Sequence, residues 1–297
     1  MKSVLSLVRS GLPFEAQYPH MHGPIPKRII QTGKHAEQPL KNRAMMANVR
    51  LLNPDYEYLF FDNENVRAFL QQEFPQYVPV FEAFPYPIQR YDFFRYLAVY
   101  RYGGFYFDLD VLLASDLSSV LSTGCVFPFE GLTLSRHLRD QLGMDWEIGN
   151  YAFGAAAGHP FLAAVIDNCV RAQRDPAWVL PMMQGLPGFL KGEFIVLNTT
   201  GPGLLSRTFA EHSELTESVA VLFPDDVCDV RTWNRFGEIG VHLMDGTWRF
   251  QGGFWRKRVA KYWELWQTRA AVRNGRRLGK TRSRAATAAP ATEKSGR

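Results

Sequence analysis

The spacing of apolar residues along the first hundred positions alternates between the period of a strand and the period of a helix. Apolar runs at 25–32 and 56–61 predict two strands, because β-branched and aromatic residues dominate them. Between them, apolar positions in 38–52 predict a helix that ends at an Asn-Pro pair. Asp62 stands where the N-cap of a second helix is expected. This order of elements predicts an α/β fold.

Residues 75–113 combine a proline-rich segment, a helix, a glycine break and a short strand. Four prolines within 75–88 predict a loop that passes over the functional site, since proline disrupts regular elements. Apolar residues at helical spacing then predict a helix over about 89–102, and the two glycines after it let the chain turn. The apolar strand 105–107 that follows places two aspartates at its carboxyl end.

The second half of the chain contains further short elements, separated by segments rich in glycine and proline. Strands are predicted at 126–129, 151–157 and 219–223, and helices at 161–166, 204–212 and 255–273. Residues 1–24 and 274–297 lack a core pattern. We therefore predict an irregular lead-in over 1–24, one domain over 25–273 and a basic disordered tail over 274–297.

Composition changes this picture mainly through the distribution of charge. The chain of 297 residues is 46% hydrophobic and 14% aromatic, which is typical of a folded protein. Its net charge of +5 is uneven: residues 256–284 carry +10 and the last thirteen carry +1, which leaves −6 for residues 1–255. Because the body is acidic, we expect no nucleic-acid partner.

The sequence shows no signal of secretion or membrane insertion. Cys125, Cys169 and Cys228 are too widely spaced for a zinc pattern, so buried thiols in a reducing compartment are expected. Residues 1–12 form too weak an apolar run for a signal peptide. No run approaches the roughly 20 apolar residues that cross a bilayer. These features predict a cytoplasmic protein.

Two aspartates, Asp108 and Asp110, carry the candidate chemistry. They alternate at the end of a buried strand, so both side chains point to the same side. Carboxylates held close together repel, and they commonly share a cation or a proton. Asp92 and Arg95 lie three positions apart on the preceding helix and are therefore neighbours on its surface. Ligands of α/β proteins bind beyond the carboxyl ends of strands, where these residues are expected.

Each candidate residue also has a simpler explanation. An isolated Asp-x-Asp is commonly a solvated turn. Asp92 with Arg95 is equally explained as a surface ion pair worth about 0.5 kcal/mol. Asn150 is explained as a turn cap, His242 as a structural histidine and Trp248 as a core residue. Their occurrence together favours a functional interpretation, above all for the aspartates.

Three segments form a specific pattern, and others add weaker similarity. The specific segments are 25–31, Asp92-Phe-Phe-Arg95-Tyr-Leu and Tyr102-Gly-Gly-Phe-Tyr-Phe-Asp108-Leu-Asp110; the weaker ones are Asn150, 158–161, 200–202 and 242–248. Over residues 25–250 the chain resembles the glycosyltransferases that carry a DXD sugar-binding region. That family includes yeast-type initiating mannosyltransferases and bacterial capsule or lipopolysaccharide transferases. The clostridial glucosylating toxins are similar at greater distance.

The resemblance implies a GT-A fold, with one mixed, mostly parallel sheet between helices. It implies a hexosyltransferase that moves a hexose from a UDP- or GDP-linked sugar to a glycan or lipid-linked acceptor, with retention at the anomeric carbon. Such a reaction would serve the synthesis of surface polysaccharide or glycolipid. A divalent cation, Mn²⁺ or Mg²⁺, would bridge the two phosphates of the donor.

The same resemblance implies roles for the residues on the helix and beyond it. Asp92 would accept hydrogen bonds from hydroxyls of the donor sugar. Arg95 would orient Asp92 or reach the sugar or phosphate, as its planar guanidinium suits either partner. Asn150 would lie near the reacting carbon. One departure is Ile30, which stands where the family often has a histidine.

The resemblance implies a metal site at Asp108 and Asp110 and a lid in the segment 242–248. Asp108 would contact the ribose or the donor sugar, and with Asp110 it would hold the metal. His242 would be a further ligand of the metal or a contact of the diphosphate. Trp248 would close over the donor and exclude water. Thr247 replaces the serine that usually precedes this tryptophan, and it keeps the hydroxyl for donor binding.

Two other functions fit parts of the sequence. Haloacid-dehalogenase-type phosphatases also place Asp-x-Asp after an apolar strand, and Asp225 with Asp226 would then be the late acidic pair. Leu112 stands where that family has threonine or valine. The other alternative is a non-enzymatic adaptor that binds membrane surfaces or nucleic acid through the basic tail.

The basic tail also predicts a location for the enzyme. Clustered lysine and arginine attract anionic lipids by about 1 kcal/mol per charge near the surface. A bacterial enzyme bound peripherally at the inner face of the cell membrane is therefore expected. The alternative is a tail that is merely solvated.

Overall fold

A mixed sheet of seven strands forms the centre of the fold. The computed structural model describes residues 23–244, 262, 265, 266 and 268–273. The strands of this part of the chain are β1 (Arg28–Thr32), β2 (Glu57–Phe61), β3 (Gly104–Phe107), β4 (Val111–Leu113), β5 (Cys125–Leu132), β6 (Trp146–Ile148), β7 (Ala152–Ala155), β8 (Ala220–Leu222), β9 (Arg235–Phe236) and β10 (Gly240–His242). The main sheet has the order β2-β1-β3-β7-β5-β6, and β8 pairs with β5.

Most strands of the main sheet point the same way. Strands β1, β2 and β3 are parallel, β7 is antiparallel to both β3 and β5, and β8 is parallel to β5. Only β6 and β7 therefore run opposite to the other five. A smaller antiparallel sheet has the order β4-β10-β9. The predicted α/β class with a mixed, mostly parallel sheet is confirmed.

Helices cover the main sheet and form its larger core. They are α1 (Leu40–Leu52), α2 (Asn63–Glu73), α3 (Val78–Ala83), α4 (Pro87–Tyr102), α5 (Pro160–Arg174), α6 (Pro176–Val179), α7 (Lys191–Thr199) and α8 (Pro202–Glu211). Adjacent residues of a strand face opposite sides, and Ile29 and Ile30 of β1 belong to two different buried clusters. Helices α2 to α5 and α8 pack on the Ile30 side, whereas α1 and the smaller sheet pack on the Ile29 side.

The predicted loop over 75–88 is wrong, because this segment is largely helical. It contains a 3₁₀ turn, all of α3 and the start of α4. Pro75, Pro79 and Pro87 each lie in the first turn of one of these helices. Proline is tolerated there because its missing N–H would have no partner in the helix. Val80 and Phe81 are buried in the larger core, so the segment supports the fold.

The glycine break after α4 positions β3 against β1. Gly103 and Gly104 have φ values of 65° and 110°, which side chains with a Cβ rarely adopt. A Cβ on Gly104 would lie 2.6 Å from the carbonyl oxygen of Arg28. The two glycines are thus required both for the turn and for the close approach of the two strands.

Three further predictions concern the cap of α2, the cysteines and membrane-spanning helices. Asp62 caps α2 by accepting hydrogen bonds from the backbone of Glu64 and Asn65, as predicted. Cys125, Cys169 and Cys228 are buried thiols that form no disulfide with one another, as expected. Within the described ranges, no helix has the length and apolarity to cross a membrane. The predicted lead-in and tail lie outside the described residues, apart from positions 23 and 24.

The end of the C-terminal helix packs on the body. Residues 268–273 are helical, and Ala271 and Val272 contact the larger core. Tyr262 and Trp266 are 63% and 60% exposed. The described end of the predicted helix 255–273 therefore docks through small residues and leaves these two aromatic side chains in solvent.

Candidate functional site

The pairing of β4 with β10 brings a histidine to the aspartate pair. His242 on β10 is paired with Val111 on β4. Since Val111 directly follows Asp110 in the chain, this pairing brings His242 close to Asp110. The imidazole Nε2 of His242 lies 3.2 Å from a carboxylate oxygen of Asp110. One ligand atom from each of Asp108, Asp110 and His242 lies within 4.8 Å of the others. We call these three residues the carboxylate–histidine cluster.

The chemistry of this cluster fits a divalent metal ion. Two carboxylates and one imidazole suit Mn²⁺, and the carboxylates also suit Mg²⁺. The cluster and its neighbours contain three carboxylates, those of Asp92, Asp108 and Asp110, against the single guanidinium of Arg95. This leaves two negative charges with a neutral imidazole, which a divalent cation would balance.

Aromatic stacking and backbone bonds hold His242 in place. Its ring stacks on Tyr151, with the centroids 4.5 Å apart and the planes 17° apart. Its backbone N–H and C=O both bond Asn234. Burial alone would lower the pKa of His242, but the hydrogen bond with Asp110 and the charge of Asp108 raise it above its ordinary value. The histidine is thus held in an acidic setting beside Asp110.

Asp92 is the centre of a second, buried group of polar side chains. Its Oδ1 lies 3.0 Å from the guanidinium of Arg95 and accepts a hydrogen bond from the amide of Asn150 at 3.1 Å. Its Oδ2 accepts a bond from the hydroxyl of Thr200 at 2.9 Å. All four residues are at least nine-tenths buried. We call these four residues the Asp92 cluster.

Burial excludes the simpler explanation of the Asp92–Arg95 pair. The two side chains are only 6% and 4% exposed, so this is no surface ion pair. Burial raises the pKa of Asp92 to about 6, although Arg95 acts in the opposite direction. The nearby charges of Asp108 and Asp92 raise the pKa of Arg95 against the effect of burial, so its guanidinium stays charged.

Arg95 joins the two groups of side chains. Its guanidinium lies 3.3 Å from Asp108 and donates to the backbone oxygen of Asn150 at 2.9 Å. It also lies over the ring of Tyr106, 4.6 Å from the centroid. The structure thus brings together Asp92, Arg95, Asn150, Asp108, Asp110 and His242, all predicted from sequence. The roles assigned to them stay predictions.

Several supporting residues were not assigned a role from sequence. Thr200 was noted only for weak similarity, yet it bonds Asp92. Tyr106 donates its hydroxyl to Asp108 at 2.8 Å, and the alternation of strand side chains is the signal that places it there. The amide of Gln31 lies 3.4 Å from the backbone oxygen of Asp108, and Tyr58 donates to Gln31 at 2.8 Å.

Other predicted residues lie elsewhere. Thr247 and Trp248 are outside the described residues, so their assignment to a lid stays a prediction. Ile30 is fully buried in the larger core, where the family's histidine would be expected. Asp225 and Asp226, the pair considered for a phosphatase, are exposed beyond the end of β8.

Comparison with known proteins shows a similarity to one family in the part of the chain that contains the aspartates. Residues 39–127 match the family model described as "Glycosyltransferase sugar-binding region containing DXD motif". The matched segment contains α4 and β3, and therefore Asp92, Arg95, Asp108 and Asp110. Asn150 and His242 lie beyond it.

Curated relatives from yeasts are named mannosyltransferases or related synthases. Inositol phosphoceramide mannosyltransferase 3 of Schizosaccharomyces pombe is 34% identical over 52% of this chain and 40% of its own length. Mannosyl phosphorylinositol ceramide synthase CSH1 of Saccharomyces cerevisiae is 27% identical over 68% of this chain and 48% of its own length. The matches thus span about half the length of these relatives.

A solved structure with a similar arrangement is the PaToxG glycosyltransferase. It has a TM-score of 0.45 and 16% sequence identity, and the match covers 71% of this chain and 77% of that one. The sequence comparisons confirm the resemblance to this family. Over residues 39–127 the chain is similar to the glycosyltransferases that carry a DXD sugar-binding region, and it is similar to curated yeast mannosyltransferases over about half of their length.

Proposed function

We propose that the protein is a metal-dependent hexosyltransferase that uses a nucleotide sugar as donor. The observation that carries this proposal is the junction of the carboxylate–histidine cluster with the Asp92 cluster, through Arg95, at the carboxyl end of β3. The proposed metal site for a diphosphate would thus lie directly beside polar side chains that suit a sugar. The transfer would retain the anomeric configuration, as the family resemblance implies.

The chain's own residues would bind and orient the donor. A carboxylate has about four lone-pair positions, and three on Asp92 are already taken by Arg95, Asn150 and Thr200. One position therefore remains for a hydroxyl of the donor sugar. Arg95 holds this carboxylate and Asp108 in fixed positions, so the hydroxyl would meet a preorganised acceptor.

Asp108, Asp110 and His242 would hold the metal. A bound Mn²⁺ or Mg²⁺ would stabilise the charge that develops on the diphosphate leaving group. Thr247 and Trp248 would bind and cover the donor and limit its loss to water.

The names of the relatives support a proposed acceptor, and the basic segment supports a proposed location. The relatives named above are associated by name with inositol phosphoceramide, so a glycan or lipid-linked acceptor is proposed, in the synthesis of glycolipid or surface polysaccharide. Residues 256–284 carry +10, and Arg269 and Arg273 in this segment are exposed. Such charge supports peripheral binding to anionic lipid at the inner face of the cell membrane.

A donor panel tests the proposed reaction. UDP- and GDP-linked hexoses are offered with and without Mn²⁺, and hydrolysis or transfer is scored by release of the nucleoside diphosphate. At least one donor is expected to be cleaved, and chelation of the metal should lower the rate at least about a hundredfold. If no nucleotide sugar is bound or cleaved, the proposed function is wrong.

Deletion of residues 274–297 tests the proposed membrane contact. The shortened protein should sediment less with vesicles that contain anionic lipid, because it loses five lysine or arginine residues between 276 and 284. Its rate of donor hydrolysis should stay within about twofold of the parent, since no site residue named above is removed. Unchanged sedimentation contradicts the membrane contact. Absence of donor hydrolysis in both proteins, together with lost sedimentation of the shortened one, favours the adaptor hypothesis instead.

A further inference from the structure

A cavity of about 430 Å³ adjoins the carboxylate–histidine cluster. His242 and Tyr151 line it, but Asp92, Arg95, Asp108 and Asp110 do not. The stacked rings of His242 and Tyr151 therefore form a shared wall between the metal cluster and a separate space. In a transferase this is the place for the group that receives the sugar, because the two reacting molecules must meet beside the metal.

Two glutamates provide the polar side of the cavity. Glu130 on β5 and Glu147 on β6 both line it, and β6 pairs with β5. A Cβ on Gly149 would lie 2.5 Å from Oε2 of Glu130 and 2.9 Å from the ring of Tyr151. Glu130 thus approaches the Tyr151 wall through the space that a glycine leaves.

The protonation of this pair suits hydroxyl groups. Burial raises the pKa of Glu147 to about 7, and the charge of Glu130 contributes to the increase, although a 2.5 Å hydrogen bond from Thr133 opposes it. Near neutral pH the pair therefore offers both hydrogen-bond donors and acceptors. Hydroxyls also both donate and accept, whereas a phosphate would be repelled by the charge.

The ring of Trp233 provides an apolar surface in the same cavity. Trp233 lines the cavity and lies against β5, where a Cβ on Gly131 would be 2.6 Å from its ring. Its indole N–H donates to the backbone oxygen of Val227 at 3.0 Å, which fixes the ring. The apolar face of a sugar-like ring packs well on such a side chain while its hydroxyls meet carboxylates.

Building on the proposed function, we propose that this cavity binds a polyhydroxylated ring of the acceptor, with Glu130 and Glu147 bonding its hydroxyls and Trp233 packing on its face. The ring is a sugar or a cyclitol, and it comes either from a soluble glycan or from a lipid headgroup. The apolar side chains of Val230 and Met244 at the cavity are 48% and 54% exposed, which leaves room for an apolar group attached to the ring.

Substitution Glu147→Gln tests the proposal in the full-length protein. Methyl hexosides and vesicles that contain phosphatidylinositol serve as the two acceptors, with Mn²⁺ and a donor that the parent cleaves. The acceptor KM should rise at least about tenfold in one arm, because the amide replaces one acceptor oxygen of the carboxyl group with a donor and cannot match the same hydroxyls. This increase should exceed any change in the donor KM. The arm in which it occurs distinguishes a soluble ring from a lipid headgroup.

The matched control is Glu238→Gln, whose side chain is 91% exposed. It should leave both KM values within about twofold of the parent. Glu130→Gln is measured in parallel and replaces Glu147→Gln if the latter fails to fold. Unchanged acceptor KM in the folded variants, or no transfer to either acceptor while the donor is hydrolysed, overturns this inference alone. Absence of donor hydrolysis in the parent overturns the proposed function with it.

Discussion

The variant Asp110→Asn is expected to lower kcat at least about a hundredfold and to remove the response to Mn²⁺. Asparagine keeps the size of the side chain but removes the negative charge beside His242, whose Nε2 lies 3.2 Å from the carboxylate. The cluster then retains one carboxylate, Asp108, and that carboxylate already pairs with Arg95. Too little charge remains to hold a divalent ion beside a diphosphate.

The measurement is a Mn²⁺ titration of donor cleavage, with calorimetric binding of Mn²⁺ in parallel. Asp225→Asn is the control, because Asp225 is exposed beyond β8 and would matter only to a phosphatase. It should change the rate by less than about twofold, and the parent should not hydrolyse a generic phosphoester. If Asp110→Asn binds Mn²⁺ and cleaves donor like the parent, the proposed metal site is wrong.

The second large effect is expected on stability. Arg95→Met should lower the free energy of unfolding by about 3–5 kcal/mol, because it leaves a buried carboxylate without its cation. Asp92 is 4% exposed and would keep only its bonds from Asn150 and Thr200. Denaturant unfolding at pH 7 measures the loss. Arg101→Met on the same helix is the control, since Arg101 is 51% exposed and its loss should cost at most about 1 kcal/mol.

A double variant and a pH series separate the electrostatic cause from poor packing. Adding Asp92→Asn to Arg95→Met should restore part of the stability, since the uncompensated buried charge is removed. It should restore no activity, because both side chains of the proposed site are then changed.

The pKa of Asp92 is raised to about 6 in the folded protein, from an ordinary 3.8. The protonated carboxyl of Asp92 thus favours the folded state, and its contribution to the free energy of unfolding is full below about pH 4 and is lost as the pH rises through about 6.

In Arg95→Met the pKa of Asp92 should rise further, because the opposing charge is absent. The stability difference between variant and parent should therefore shrink as the pH falls from 7 to 5. A difference that stays constant over this range would indicate lost packing instead of an uncompensated carboxylate.

Local sequence signals were enough to predict one half of the site. The helix, the two glycines and the strand β3 are adjacent in the chain, so helical spacing places Asp92 beside Arg95 and the end of β3 places Asp108 without knowledge of the rest. The expected strand alternation of Asp108 and Asp110 is wrong, because both residues lie in the turn between β3 and β4. The comparisons later matched this same part of the chain.

The other half depends on contacts between distant segments. His242 reaches Asp110 only through the pairing of β4 with β10, two strands of three residues each, which no local pattern specifies. Thr200 reaches Asp92 because it caps the end of α7, which packs beside α4, and sequence spacing does not reveal that contact. The wrong prediction at 75–88 has a different origin: a high density of proline is typical of loops, but the first turns of helices also favour proline.

The two contacts of Arg95 restrict which substitutions related proteins can accept at this site. Its guanidinium contacts both the buried Asp92 and Asp108 of the proposed donor site, so a substitution that alters one contact alters the other. With three of its lone-pair positions occupied inside the protein, Asp92 has little freedom to be retuned for a new sugar. We therefore expect donor preference to diverge among related proteins through the residues around this pair, while the pair itself stays constant.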